Sequence, residues 1–158
     1  MLLAIESSCD ETAVAIIRRC GDRVELLTSL ISSQIEIHRE YGGVVPEVAC
    51  RNHAQRIRPL VQQALDDADI SLEDITAFAA TCGTGLASSL LVGLAYAKGL
   101  AAASRKPFFG LNHMEGHLLS PFLGPGEVTP HLGLIVSGGH TLLIDVQGFG
   151  KYRLMGGT

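Results

Sequence analysis

The sequence has no C-x-x-C pair: its four cysteines, Cys9, Cys20, Cys50 and Cys82, are scattered along 158 residues. That spacing argues against a zinc ribbon or a disulfide framework and points to a reducing compartment. No basic stretch precedes an apolar run at the start, so nothing suggests export, and a cytoplasmic location is expected. Cationic residues are outnumbered, 12 Lys and Arg against 16 Asp and Glu, giving a net charge of −4. The summed field therefore repels nucleic acid, and any RNA contact must come from a local patch such as Arg51, Arg56 and Arg58, from a segment outside this chain or from a partner. Charge of either sign is scarce at 18%, while 47% of residues are hydrophobic, which excludes a disordered segment and provides for one sizeable core. The apolar stretch GLASSLLVGLAYAKGLAAA, residues 85–103, approaches the composition of a membrane span. It carries Lys98, Ser88 and Ser89, so a buried helix is expected and no membrane partner.

Apolar LLAIE (2–6) and TAVAIIR (12–18), joined by polar SSCDE, predict a hairpin, and 24–32 predicts a third strand. YGGVVP (41–46) is a glycine-hinged loop, after which 46–68 keeps a helical period with Val48, Ile57, Val61 and Leu65 apolar. ITAFAATC (75–82) predicts a buried strand, 87–104 a buried helix and KPFFGL (106–111) a further strand. A strand cluster followed by alternating helix and strand indicates a mixed α/β layer. LIVSGGHTLLID (134–145) repeats the strand, polar turn and strand of the beginning, with Ser137 against Ser7 and Thr141 against Thr12. An offset of about 130 residues implies a second lobe of comparable size, of which only the opening strands are present; chance similarity of two hairpins is the other reading.

NHMEGHL (112–118) places His113 and His117 at i and i+4, on one face of a helix, where two imidazoles can hold one cation. A surface or core pair without a metal is the plainer alternative. Glu115 lies two residues from each histidine, about 200° around the helix, and so projects away from that face, unlike the glutamate of a zinc peptidase. Gly116 inside the helix suggests close backbone packing. In VSGGHT, Gly138 and Gly139 leave backbone N–H groups that can approach a phosphate, with Ser137, His140 and Thr141 adding side-chain donors. Asp10 and Glu11 in the first turn are candidates to orient an amine or a water molecule, or are simply a solvated turn.

Taken jointly, IESSCDET (5–12), EYGGVVPEVACRNH (40–53), LLVG (90–93), NHMEGHL and LIVSGGHT resemble the tRNA N6-threonylcarbamoyladenosine transferase family (TsaD, formerly the glycoprotease family) in its bacterial form. The resemblance implies the actin/hexokinase/Hsp70-like fold of two duplicated lobes. It divides the chain into a complete first lobe (1–111), a metal-histidine helix and connection (112–131), and the opening strands of a truncated second lobe (132–158). It implies transfer of a threonylcarbamoyl group from threonylcarbamoyl-AMP to N6 of adenosine 37 in tRNAs that read codons beginning with A. By the same resemblance His113 and His117 ligate one divalent ion, Fe2+ or Zn2+, with a third protein ligand outside this chain, and Ile135, Val136, Ser137, Gly138 and Gly139 bind the adenylate. Its partners are tRNA, a TsaB-type scaffold subunit packing on the first lobe and a TsaE-type ATPase.

The chain departs from the pattern at Gly83-Thr84-Gly85-Leu86, where the family has GPGL, and ends in MGGT, where the family continues into an acidic segment carrying further adenylate contacts. Residues 1–158 alone are therefore expected to be inactive. Two other classes share the fold. A non-catalytic scaffold relative would lack the histidine pair, and an ATPase or kinase would use carboxylates and Mg2+ where this chain has imidazoles.

Overall fold

The computed structural model describes residues 1–21, 23–122, 127–137 and 141–158. The chain forms two compact units, Met1–His113 and Met114–Thr158. In the first, β1 (Leu2–Glu6), β2 (Glu11–Cys20) and β3 (Arg23–Ser33) make an antiparallel meander. A five-residue helix α1 (Ile35–Arg39) and the long α2 (Pro46–Asp67) follow. The chain then runs through β4 (Ala77–Gly83), α3 (Ala87–Ser104) and β5 (Phe108–Asn112). β4 pairs parallel to both β1 and β5, completing a five-stranded sheet of order β3-β2-β1-β4-β5.

The two-residue period of the strands places Leu3 and Ile5, Val14 and Ile16, and Phe78 and Ala80 in one core. Ile57, Val61 and Leu65 of α2 and Ala97 and Ala101 of α3 belong to the same cluster. α3 is not the fully buried helix its composition predicts. Its buried residues are Ser89, Gly93, Ala97 and Ala101, a single stripe of small side chains, while Leu91 is 63% exposed. The sequence is apolar around the whole circumference, so its period carries no record of which face packs. α3 has the length and composition of a membrane span, yet its small-residue stripe is buried within this unit.

Helix α4 (His113–Leu119) begins at the last residue of the first unit. The second unit contains β6 (His131–Val136), β7 (Thr141–Gly148) and β8 (Lys151–Gly157), an antiparallel sheet with β7 in the middle. β8 extends the two strands legible in the sequence. Leu118, Ile144 and Val146 form a small core here, and Gly133 accommodates Leu118, whose Cδ2 would lie 2.5 Å from an added Cβ. Leu132, Leu134 and Val136, on the other face of β6, are 65–70% exposed.

Candidate functional site

The connection from β1 to β2 is tied to α3 and to His113 by hydrogen bonds of Ser7 and Ser8. Ser7 and Ser8 are both buried. The Ser7 hydroxyl donates to the Ser89 carbonyl (2.8 Å) and accepts the Gly93 N–H (3.1 Å), bridging two groups one helical turn apart on α3. Only a glycine fits there, since a Cβ on residue 93 would sit 2.5 Å from that hydroxyl oxygen. The Ser8 carbonyl accepts the Leu86 N–H at 2.8 Å, which fixes the turn to the start of the same helix.

Gly85 makes that approach possible. Its φ is +152°, and a Cβ would lie 2.5 Å from the Ser8 carbonyl oxygen. Gly85→Ala is expected to destabilise the first unit by about 2 kcal/mol, through backbone strain and displacement of Ser8. Denaturant titration reads this, and an unchanged midpoint would show that the turn relaxes freely.

Glu6, at the end of β1, gathers three donors. It accepts from the Thr81 hydroxyl and the Ser8 N–H, and its Oε2 lies 3.5 Å from His113 Nδ1. Ser8 Oγ is 3.2 Å from the same ring nitrogen. Burial pushes the Glu6 carboxyl up, but the hydrogen bonds from Ser8 and Thr81 and the nearby imidazole outweigh it and hold the group below its ordinary value. The site thus presents a carboxylate to one edge of His113. This is how a metal-binding imidazole is usually oriented, with one nitrogen fixed by a carboxylate and the other directed at the ion.

His117 lies one turn along α4 from His113. Glu115 is taken up elsewhere, accepting the Tyr152 hydroxyl at 2.7 Å. Gly116 does not mark close packing: among the described residues nothing lies within 4 Å of a Cβ placed there. No group of three or more His, Cys, Asp and Glu among the described residues is arranged to hold a metal.

Asp10 is half-buried in the turn, whereas Glu11 is exposed and forms the first residue of β2, opposite Ser33. A groove of about 230 Å³ beside them is lined by Asp10, Ile35, His38, Arg39, Gly43 and Val44. In the second unit, Ile135 and Val136 end β6, with Ile135 half-buried and Val136 70% exposed, and exposed Ser137 follows. Gly138 and Gly139 lie outside the described residues. The structure therefore brings His113 to Glu6 and Ser8, at the start of the turn that carries Asp10, while Glu11 opens β2. Sequence reasoning missed the contributions of Glu6 and Ser8; a carboxylate ending an apolar strand was the available signal.

Residues 25–158 match the family model for TsaD, tRNA N6-adenosine threonylcarbamoyltransferase. The protein of that name from Trichlorobacter lovleyi is 52% identical over 158 residues, covering all of this chain and 45% of the relative. The one from Clostridium perfringens is 48% identical over 159 residues, with 100% and 46% covered. The chain thus spans about half the length of the curated relatives it matches. Among solved structures, YeaZ from Pseudomonas aeruginosa superimposes with a TM-score of 0.64 at 23% identity, over 98% of this chain and 65% of that one. The Aquifex aeolicus PPX-GPPA enzyme gives 0.52 at 10% identity, over 99% and 50%. The fold is accordingly the actin/hexokinase/Hsp70-like α/β type.

Proposed function

Because this chain belongs to the tRNA N6-adenosine threonylcarbamoyltransferase family, we propose that the whole protein transfers the threonylcarbamoyl group of threonylcarbamoyl-AMP to N6 of adenosine 37, in tRNAs reading codons that begin with A. The match over residues 25–158 carries this reading. In the reaction a bond forms between N6 and the carbamoyl carbon, the bond from that carbon to the phosphate oxygen breaks, AMP departs and N6 loses one proton. The exocyclic amine is a poor nucleophile, so orientation and charge stabilisation must supply most of the acceleration. Asp10 and Glu11 are the carboxylates placed to orient the amine and take up its proton. Ile135, Val136, Ser137, Gly138 and Gly139 hold the adenylate, with backbone N–H groups meeting the phosphate.

A divalent ion, Fe2+ or Zn2+, fits the donor set: His113 and His117 share one helix, and Nδ1 of His113 is engaged by Ser8 and Glu6. When bound, the ion supplies a Lewis acid and a template for the substrate. In this reading the third protein ligand lies outside the chain, so residues 1–158 alone carry no transfer activity. The scaffold relative and the ATPase or kinase of the same fold are disfavoured by that histidine pair.

We further propose that the protein acts in the cytoplasm, with tRNA, a TsaB-type scaffold subunit and a TsaE-type ATPase as partners. The apolar side of α3 around Leu91 is one surface suited to a partner helix, and exposed Arg51, Arg56 and Arg58 on α2 form the cationic patch available to RNA.

Nucleoside mass spectrometry of tRNA treated with full-length protein, threonylcarbamoyl-AMP and the partner subunits tests the activity. Modified adenosine 37 is expected, and the double variant Asp10→Asn, Glu11→Gln is expected to lower kcat by about 100-fold or more. No product from the wild type would refute the reading. Wild-type turnover by the double variant would remove these two carboxylates from it.

A further inference from the structure

Thr12, Gln34, His38 and His53 are all buried, yet none of them belongs to the transfer chemistry set out above. They form one hydrogen-bonded chain whose direction follows from what each end can do. The Val45 N–H, at the N-cap of α2, can only donate, so Nδ1 of His38 accepts it (3.3 Å). Neutral His38 then carries its proton on Nε2 and donates to Gln34 Oε1 (3.3 Å). The single lone pair of His53 Nδ1 accepts the Thr12 hydroxyl at 2.8 Å, and the Gln34 amide nitrogen shares it as a weaker donor at 3.3 Å. Nε2–H of His53 ends the chain on the Cys9 carbonyl at 3.0 Å, an oxygen that can only accept. From Val45 through His38, Gln34 and His53 the links run one way, from the start of α2 to Cys9 in the turn that carries Asp10, and Thr12 joins from β2. The next carbonyl is held as well, since Asp10 O accepts the Gln34 backbone N–H at 2.9 Å.

We propose that His53 is a positioning residue: as a neutral Nε2–H imidazole it pins the Cys9 carbonyl and thereby sets the carboxylates of Asp10 and Glu11 toward the reacting amine. Two observations support a role beyond filling the core. The residue on the buried face of α2 between Ala49 and Ile57 is a polar ring, where an aliphatic side chain would pack without needing partners. Its polar partners tie β2 (Thr12) and the residue that follows β3 (Gln34) to the β1–β2 turn (Cys9), and a buried polar network of this kind holds a single geometry. His38, two links back, also lines the groove shared with Asp10, so the network borders the space a substrate would enter.

The kinetic consequence rests on the transferase reading, whereas the pinning does not. His53→Leu removes every hydrogen bond of the ring, to Thr12, Gln34 and the Cys9 carbonyl, and His53→Gln keeps an N–H able to reach that carbonyl. In full-length protein with its partners, His53→Leu is expected to lower kcat by about 30-fold with KM within about 2-fold, and His53→Gln to recover most of that loss, as expected for misplaced reacting groups. Hydrogen exchange of the peptide spanning residues 7–13, read by mass spectrometry, is expected to lose protection in the leucine variant and keep it in the glutamine variant. Thr12→Val, which removes only the hydroxyl donated to Nδ1, provides the same comparison if His53→Leu does not fold, with a smaller loss of kcat and of protection. Unchanged exchange of that peptide in His53→Leu, or in Thr12→Val if only that variant folds, would overturn the pinning. Lost protection at wild-type kcat would overturn the positioning role. A wild type without transfer activity would count against the transferase reading, and the exchange comparison would still decide the pinning.

Discussion

Under the proposed metal-assisted transfer, His113→Ala and His117→Ala are each expected to abolish binding of a divalent ion by the full-length protein and to lower turnover by about 10³-fold. The size follows from the loss of charge stabilisation at the carbamoyl carbonyl, several kcal/mol, with each 1.4 kcal/mol worth a factor of ten. The two variants should behave alike, because a divalent site that loses one of few protein ligands does not retain the ion. Glu6→Gln provides a graded control. It leaves both imidazoles in place but weakens the contact at His113 Nδ1, so metal affinity should fall by about 10- to 100-fold. Elemental analysis of purified protein, together with metal titration, measures both effects. One ion per chain retained by both alanine variants would exclude the histidine pair as the site.

Phe78→Ala should remove about 3–5 kcal/mol of stability, a large share of what a domain of this size possesses. Phe78 is fully buried, lies opposite Leu3 on β1 and Phe108 on β5, and donates its N–H to the Pro107 carbonyl at 3.0 Å. Truncation leaves a cavity between sheet and helices, and the paired strands on both sides prevent collapse. Phe109→Ala on the neighbouring strand serves as the contrast: that ring is 50% exposed, so its loss should cost under about 1 kcal/mol. Urea titration followed by circular dichroism measures the pair, and similar costs for the two would mean that burial does not govern stability here.

The strands of the first unit were legible because their apolar positions alternate and their boundaries carry polar turns. α2 was legible from its period. α1 and the turn Leu72–Asp74 were not, being too short for a period to register. The buried stripe of α3 was hidden by uniform apolarity. Within the site, the histidine pair was visible as a spacing, but the grip of Glu6 and Ser8 on His113 was not, because more than a hundred residues separate the partners and only the parallel pairing of β1 with β4 and β4 with β5 joins them. Asp10 and Glu11 were placed together in the turn, and the structure divides them, Asp10 in the connection and Glu11 on the strand. His53 was missed because a histidine in an apolar row looks like a break in the pattern until its partners are known.

The pairing of β1 with β4 also bears on biosynthesis. β1 ends at Glu6, and the parallel strand that covers its open edge does not begin until Ala77. At roughly 5–20 residues per second, a ribosome needs on the order of 4–14 s to deliver it. From the completion of β3 at Ser33 until then, the nascent meander of β1, β2 and β3 presents an unpaired edge at Leu2–Ile5. Such an edge can pair with any extended chain nearby, so the first seconds of synthesis are when this protein most needs a chaperone at the exit tunnel.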